Sequence, residues 1–324
     1  WLAWSLAVLL PALLAFGIFS THDVVVKILG GVYSPFQNVF FSVLLSFPLA
    51  TVMMMRDANP GTLVPRHPWW LALRTGAAVV TGVSVFYAFS VLPLAQVYAI
   101  LFAAPLLITI LAIPVLGETV RLRRWIAVIV GLVGVLVVLR PGETEFSLGH
   151  LAALAAAIGG ALASIVVRKI GNEERPVVML LYPMMVNFIL MACALPSVYV
   201  PMPIEHLGLL AIIATFAWFA SRLVIAAYQA GEAAIIAPMQ YSQIIWASLF
   251  GYFFFDESID QATAIGAGII IASGMYIVLR ESRSGTSMNT PVLRTRSRSE
   301  TGTIPRVSLF MRLAGKTPPR QDKG

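Results

Sequence analysis

Two stretches, LGETVRLRRWIAVIVGLVGVLVVLR (Leu116–Arg140) and FDESIDQATAIGAGIIIASGMYIVLR (Phe255–Arg280), lie over one another with one extra residue in the second. Glu118 falls on Glu257, Thr119 on Ser258, Gly134 on Gly274 and Arg140 on Arg280. Towards the front of each half, FGIFSTHDVVVKI from Phe16 lies over IGGALASIVVRKI from Ile158, setting Gly17 on Gly159 and Lys27 on Lys169. The chain therefore reads as two copies of one unit, at 1–140 and 141–280, followed by a basic tail at 281–324 that is expected to be disordered.

Each copy contains five apolar runs. They fall near 4–26, 34–55, 69–92, 96–116 and 124–140, then near 148–168, 177–199, 206–229, 234–255 and 262–279. Hydrophobic residues make up 59% of the chain and charged ones 11%, so lipid is the solvent for most of it. A bilayer needs about 20 apolar residues per helical crossing and forces backbone hydrogen bonds to close within the segment. The runs lack the alternation of barrel strands. The fold class is thus an all-α polytopic membrane protein of ten transmembrane helices. Because five is odd, the two copies must point oppositely through the membrane, an inverted repeat of the kind secondary transporters use.

Charge supports this independently. The loop before the fifth helix is basic (Arg121, Arg123, Arg124), and its counterpart before the tenth is acidic (Asp256, Glu257, Asp260). Loops after even-numbered helices hold Arg56, Arg66, Arg121, Arg123, Arg124, Arg168, Lys169 and Arg175, against Lys27 and Arg140 after odd-numbered ones. The excess puts both termini in the cytoplasm of an inner-membrane protein. Residues 1–279 carry twelve basic and twelve acidic side chains, so the net +7 lies in the tail and implies no nucleic-acid partner.

The pairing of AAPLLITILAIPVLGE with APMQYSQIIWASLFGYFFFDE, each a proline-containing helix ending in an acidic turn, and the closing SGMYIVLRE resemble the drug/metabolite transporter superfamily. Within it the chain is similar to the ten-helix EamA-type carriers, over about Leu6 to Glu281. The nearest branches look like bacterial riboflavin importers and S-adenosylmethionine uptake carriers. The resemblance implies a carrier of small metabolites. Many relatives have an arginine in the second helix where this chain has Ser42.

Ionisable residues at membrane depth are costly and point to function. Asp23 and Lys27, four apart on one helical face, read either as a substrate or proton site or as an interfacial ion pair. Thr215, Trp218, Arg222 and Gln229 form one helical stripe, which suits a cavity where Arg222 holds an anionic or carbonyl-rich group and Trp218 stacks a ring; the bland alternative is an arginine that snorkels or pairs with Glu232. Tyr241, Gln243 and Trp246 follow Pro238 in the ninth helix, Tyr98 precedes Pro105 in the fourth, and Ser84 and Tyr87 are on the third. Prolines at such positions free backbone carbonyls for substrate or are passive kinks. The candidate binding set is Asp23, Ser84, Tyr87, Tyr98, Trp218, Arg222, Tyr241, Gln243 and Trp246, with Asp23 and Glu232 as candidates for proton coupling. Glu118 and Glu257 read as caps on the helices that follow them.

There is one cysteine and no Cys/His cluster, so neither metal nor other cofactor is expected. An intramembrane enzyme would need a nucleophile and base or a metal motif, and no HExxH or GxSxG occurs. The leading reading is a secondary carrier working by alternating access, with a planar vitamin such as riboflavin first, then S-adenosylmethionine uptake or metabolite export. A membrane sensor or scaffold acting through the tail is the alternative of another class. The expected partners are a small-molecule substrate, the bilayer and, as an open option, a second copy of the chain.

Overall fold

A computed structural model describes residues 2–55, 62–117, 120, 122–140, 147–171, 173–230 and 236–282. The first copy folds as α1 (Leu2–Gly30), α2 (Pro35–Met55), α3 (Pro68–Val91), α4 (Leu94–Leu101), α5 (Ala104–Leu116) and α6 (Leu122–Leu139). The second folds as α7 (Leu148–Ile170), α8 (Pro176–Val198), α9 (Ile204–Ala230), a 3-10 turn (Ala237–Tyr241), α10 (Ser242–Phe255) and α11 (Gln261–Ser282). Among the described residues nine spans are long and apolar enough to cross a membrane, with α4 and α5 counted as one. The 3-10 turn and α10 supply the tenth segment. The junction between α3 and α4 is a two-residue turn at Leu92-Pro93, both in extended conformation.

The expected fourth and ninth helices are each broken rather than continuous. Pro105 has no N–H for the Leu101 carbonyl, so the helix stops and restarts through Phe102 and Ala103. In the second copy the break is the 3-10 turn ending at Tyr241. The two breaks are repeat-related. Glu257 follows Glu118 by 139 positions (257 − 118), and Tyr241 follows Phe102 by the same 139 (241 − 102). Their rings meet edge to face, 5.1 Å apart at 83°. The helices below the breaks end alike as well, on left-handed residues Gly117 (φ 68°) and Asp256 (φ 55°).

Packing between copies follows a two-fold exchange. α3 packs on α7 and α1 on α9, which are the same pair of spans with the copies swapped. α6 pairs with its equivalent α11, and α2 with its equivalent α8, where Phe47 meets Phe188 at 5.4 Å and 89°. Small residues bring α6 and α11 together: a Cβ on Gly266 would stand 2.7 Å from the Gly134 carbonyl oxygen, and one on Gly134 would stand 3.0 Å from that of Gly266. Gly266→Leu should therefore force these helices apart and cost roughly 1–3 kcal/mol or more, lowering the thermal midpoint in detergent. Gly268, with nothing within 4 Å of its Cβ position, should accept leucine with little change in that measurement.

Candidate substrate site at the helix breaks

α1 is buried on most of its circumference from Ala12 to Leu29, and its interior polar residues Ser20, His22 and Asp23 are all at most 1% exposed. A carboxylate in such a setting needs hydrogen-bond donors on both oxygens. His22 Nδ1 lies 2.7 Å from Asp23 Oδ1, and the Tyr98 hydroxyl donates a short bond to Oδ2. Gln243 Nε2 donates to the same hydroxyl at 3.4 Å, and Ser20 Oγ lies 3.5 Å from it. Three elements thus converge on one carboxylate: α1, the short α4 of the first copy and the start of α10 in the second.

Aromatic rings wall this cluster. Tyr98 contacts Phe89 of α3 at 5.6 Å and Phe102 at 5.8 Å, and Phe102 leads on to Tyr241. Gly274 makes room for Tyr241, since a Cβ there would overlap the tyrosine hydroxyl. Gly17 lies against Trp246, where a Cβ would stand in ordinary contact, 3.4 Å from the indole. The breaks, the carboxylate and the rings lie together at the junction of the two copies. No cluster of three metal-ligating side chains occurs among the described residues.

Asp23, Tyr98, Tyr241 and Gln243 of the expected set come together here, whereas Trp246 packs beside Gly17 and on Phe250. Ser84 and Tyr87 are half-buried on α3, and no described hydrogen bond or ring contact joins them to the cluster. The stripe on α9 is placed differently from the cavity reading. The face of α9 with Ile213, Ala217, Ala220, Ser221 and Val224 is buried, and Arg222, five residues past Ala217, is about 140° round the helix from it. Arg222 and Thr215 are exposed, and the Arg222 guanidinium lies over its own helix's Trp218 ring at 5.5 Å. Glu232 and the Gln229 side chain lie outside the described residues.

Lys27 also departs from the pairing considered with Asp23. Its Nζ bonds Glu257 Oε1 at 2.6 Å and the Leu92 carbonyl at 2.5 Å, above the Phe255 ring. Glu257 in turn accepts the Leu94 N–H at 3.0 Å. It therefore caps a helix of the other copy instead of the one that follows it, because the tight α3–α4 turn presents a bare helix N-terminus beside it. The repeat-related Lys169 donates to the Val115 carbonyl and lies over Trp70 at 4.4 Å. His22 was missed in the sequence, although an adjacent His-Asp within an apolar run carried the same signal that singled out Asp23.

Two broken helices meeting at a buried carboxylate, inside an inverted repeat, define a membrane carrier. The EamA-like transporter family model matches residues 6–140 and again 147–279, and the chain belongs to that family. It is a small-metabolite transporter and not an enzyme. An S-adenosylmethionine uptake transporter of Rickettsia bellii is 28% identical, over 82% of this chain and 91% of that protein. A riboflavin transporter of Vibrio cholerae is 28% identical over 66% of this chain and 72% of its own, and a pseudopaline exporter of Pseudomonas aeruginosa 24% over 85% and 96%. A solved crystal structure covers 82% of this chain and 93% of its own at 18% identity with a TM-score of 0.50, a likeness of fold alone.

Proposed function

We propose that this carrier imports S-adenosylmethionine, or a closely related sulfonium nucleoside, by alternating access across a bacterial inner membrane with both termini in the cytoplasm. The observation that carries the reading is Asp23, a wholly buried carboxylate walled by Phe89, Tyr98, Phe102 and Tyr241. A fixed negative charge among aromatic faces suits an organic cation, and the same rings can stack an adenine. The basic loops after even-numbered helices support the orientation. Riboflavin is the second reading, favoured by the Vibrio cholerae relative and by the aromatic wall. It has no cationic centre to answer Asp23. Of the Trp218–Arg222 pair on which a flavin site would lean, Arg222 is exposed and Trp218 is half-buried.

The test is uptake of labelled S-adenosylmethionine and of labelled riboflavin in cells that lack their own importers of both. Accumulation of the first and not the second is expected. Arg222→Ala should leave the KM within about twofold of wild type, as for an exposed residue outside the site. Riboflavin uptake without S-adenosylmethionine uptake would overturn the assignment.

A further inference from the structure

We infer that His22 is a specificity-determining residue of this carrier, and that its Nε2 accepts a hydrogen bond from a primary ammonium group of the substrate. The inference rests on the reading of Asp23 as the substrate's counter-charge.

With Asp23 ionised, as its reading as the counter-charge requires, the carboxylate can only accept, so the ring nitrogen 2.7 Å from Oδ1 is the protonated one. In the neutral ring Nε2 is then left with a bare lone pair. His22 is 0% exposed, and Nε2 has no hydrogen-bond partner among the described residues. Buried polar groups are almost always paired, so an unpaired acceptor beside a buried carboxylate calls for a reason.

The fold supplies none. Repeat alignment places Ser164 and Ile165 of α7 where α1 has His22 and Asp23, an offset of 142 shared with Lys27 and Lys169. Ser164 satisfies itself by donating to the Gly160 carbonyl, and Ile165 is plain core. The same helix position thus packs in the second copy without any ionisable group. The His-Asp pair is an addition to the scaffold in one copy only, at the level of the helix breaks.

The two ring nitrogens face opposite sides of the imidazole, so a donor on Nε2 is separate from the group that faces Asp23. S-adenosylmethionine carries a sulfonium and, a few bonds away, an ammonium with three N–H bonds, so the first can face Asp23 while the second donates to Nε2. A sulfonium has a charge but no N–H, so it can satisfy the carboxylate alone. His22 would therefore read the amino-acid end of the substrate rather than its charge as such. In the described conformation Nε2 is sealed, so its partner arrives when the cluster opens in the transport cycle.

The experiment uses the full chain and labelled S-adenosylmethionine uptake, competed by unlabelled S-adenosylmethionine and by its desamino analogue, which keeps the adenosine and the sulfonium. Wild type should prefer the parent by about tenfold or more, the size expected for a hydrogen bond to a charged group. His22→Asn keeps an N–H where Nδ1–H stood but has no acceptor at the Nε2 position; its preference should fall close to one, through weaker binding of the parent alone. His22→Gln, whose amide oxygen can reach the Nε2 place, should keep part of the preference. Equal weakening of both compounds in His22→Asn would make His22 only a holder of Asp23 and overturn the inference, as would a wild type indifferent to the amine. A wild type that takes up no S-adenosylmethionine would overturn the proposed function first, and the ammonium with it.

Discussion

Asp23→Asn should reduce substrate uptake by about a hundredfold or more while leaving the amount of protein in the membrane unchanged. Removing one partner of a buried charge pair costs about 3–5 kcal/mol, which in binding is two to three orders of magnitude. The substitution is isosteric, so packing around α1 is kept, and a neutral amide is less costly in lipid than a carboxylate. The amide also misfits its neighbours. Both Asp23 oxygens now receive donors, from His22 and Tyr98. An Asn side chain must turn its own N–H towards one of them. Initial uptake rates, normalised to membrane-inserted protein, check the prediction. A rate within a few-fold of wild type would remove Asp23 from the site.

Reversing Lys27 to Glu should slow uptake by about tenfold or more, because two carboxylates would then face each other within a part-buried contact. Lys27 and Glu257 have side chains only 11% and 19% exposed, so solvent screens the pair weakly. The double reversal Lys27→Glu with Glu257→Lys should recover part of the rate. Full recovery is not expected, since Glu257 also accepts the Leu94 N–H and a lysine there cannot. A double variant no better than the worse single one would mean that the ion pair itself contributes nothing. The contact ties α1 and the α3–α4 turn of one copy to the α10–α11 turn of the other, so its strength bears on how the copies move against each other.

The same residues mark how far the sequence could be read. Glu118 and Glu257, Lys27 and Lys169, and the glycines of the closing helices repeat at nearly fixed offsets, and a lipid solvent leaves helices as the main option for the runs between them. Asp23 was legible for the same reason, as a charge where charge is expensive. Tyr98, Tyr241 and Gln243 could be picked out as polar groups near proline-broken helices. The stripe on α9 marks a limit, because a helical period says which residues share a face and not which face turns inward. Lys27 marks another. Spacing of four makes Asp23 and Lys27 neighbours on an isolated helix, but stronger partners reach each of them from other helices.

The sequence by itself determined the solvent, the ten apolar segments and the doubling of the chain, since these follow from composition, run length and local repetition. Tertiary structure alone decided which partners Asp23 and Lys27 reach on other helices. Hydrogen bonds between α1, α4 and α10 join residues 75 or more positions apart, and such pairings depend on how helices cross, which no local pattern encodes.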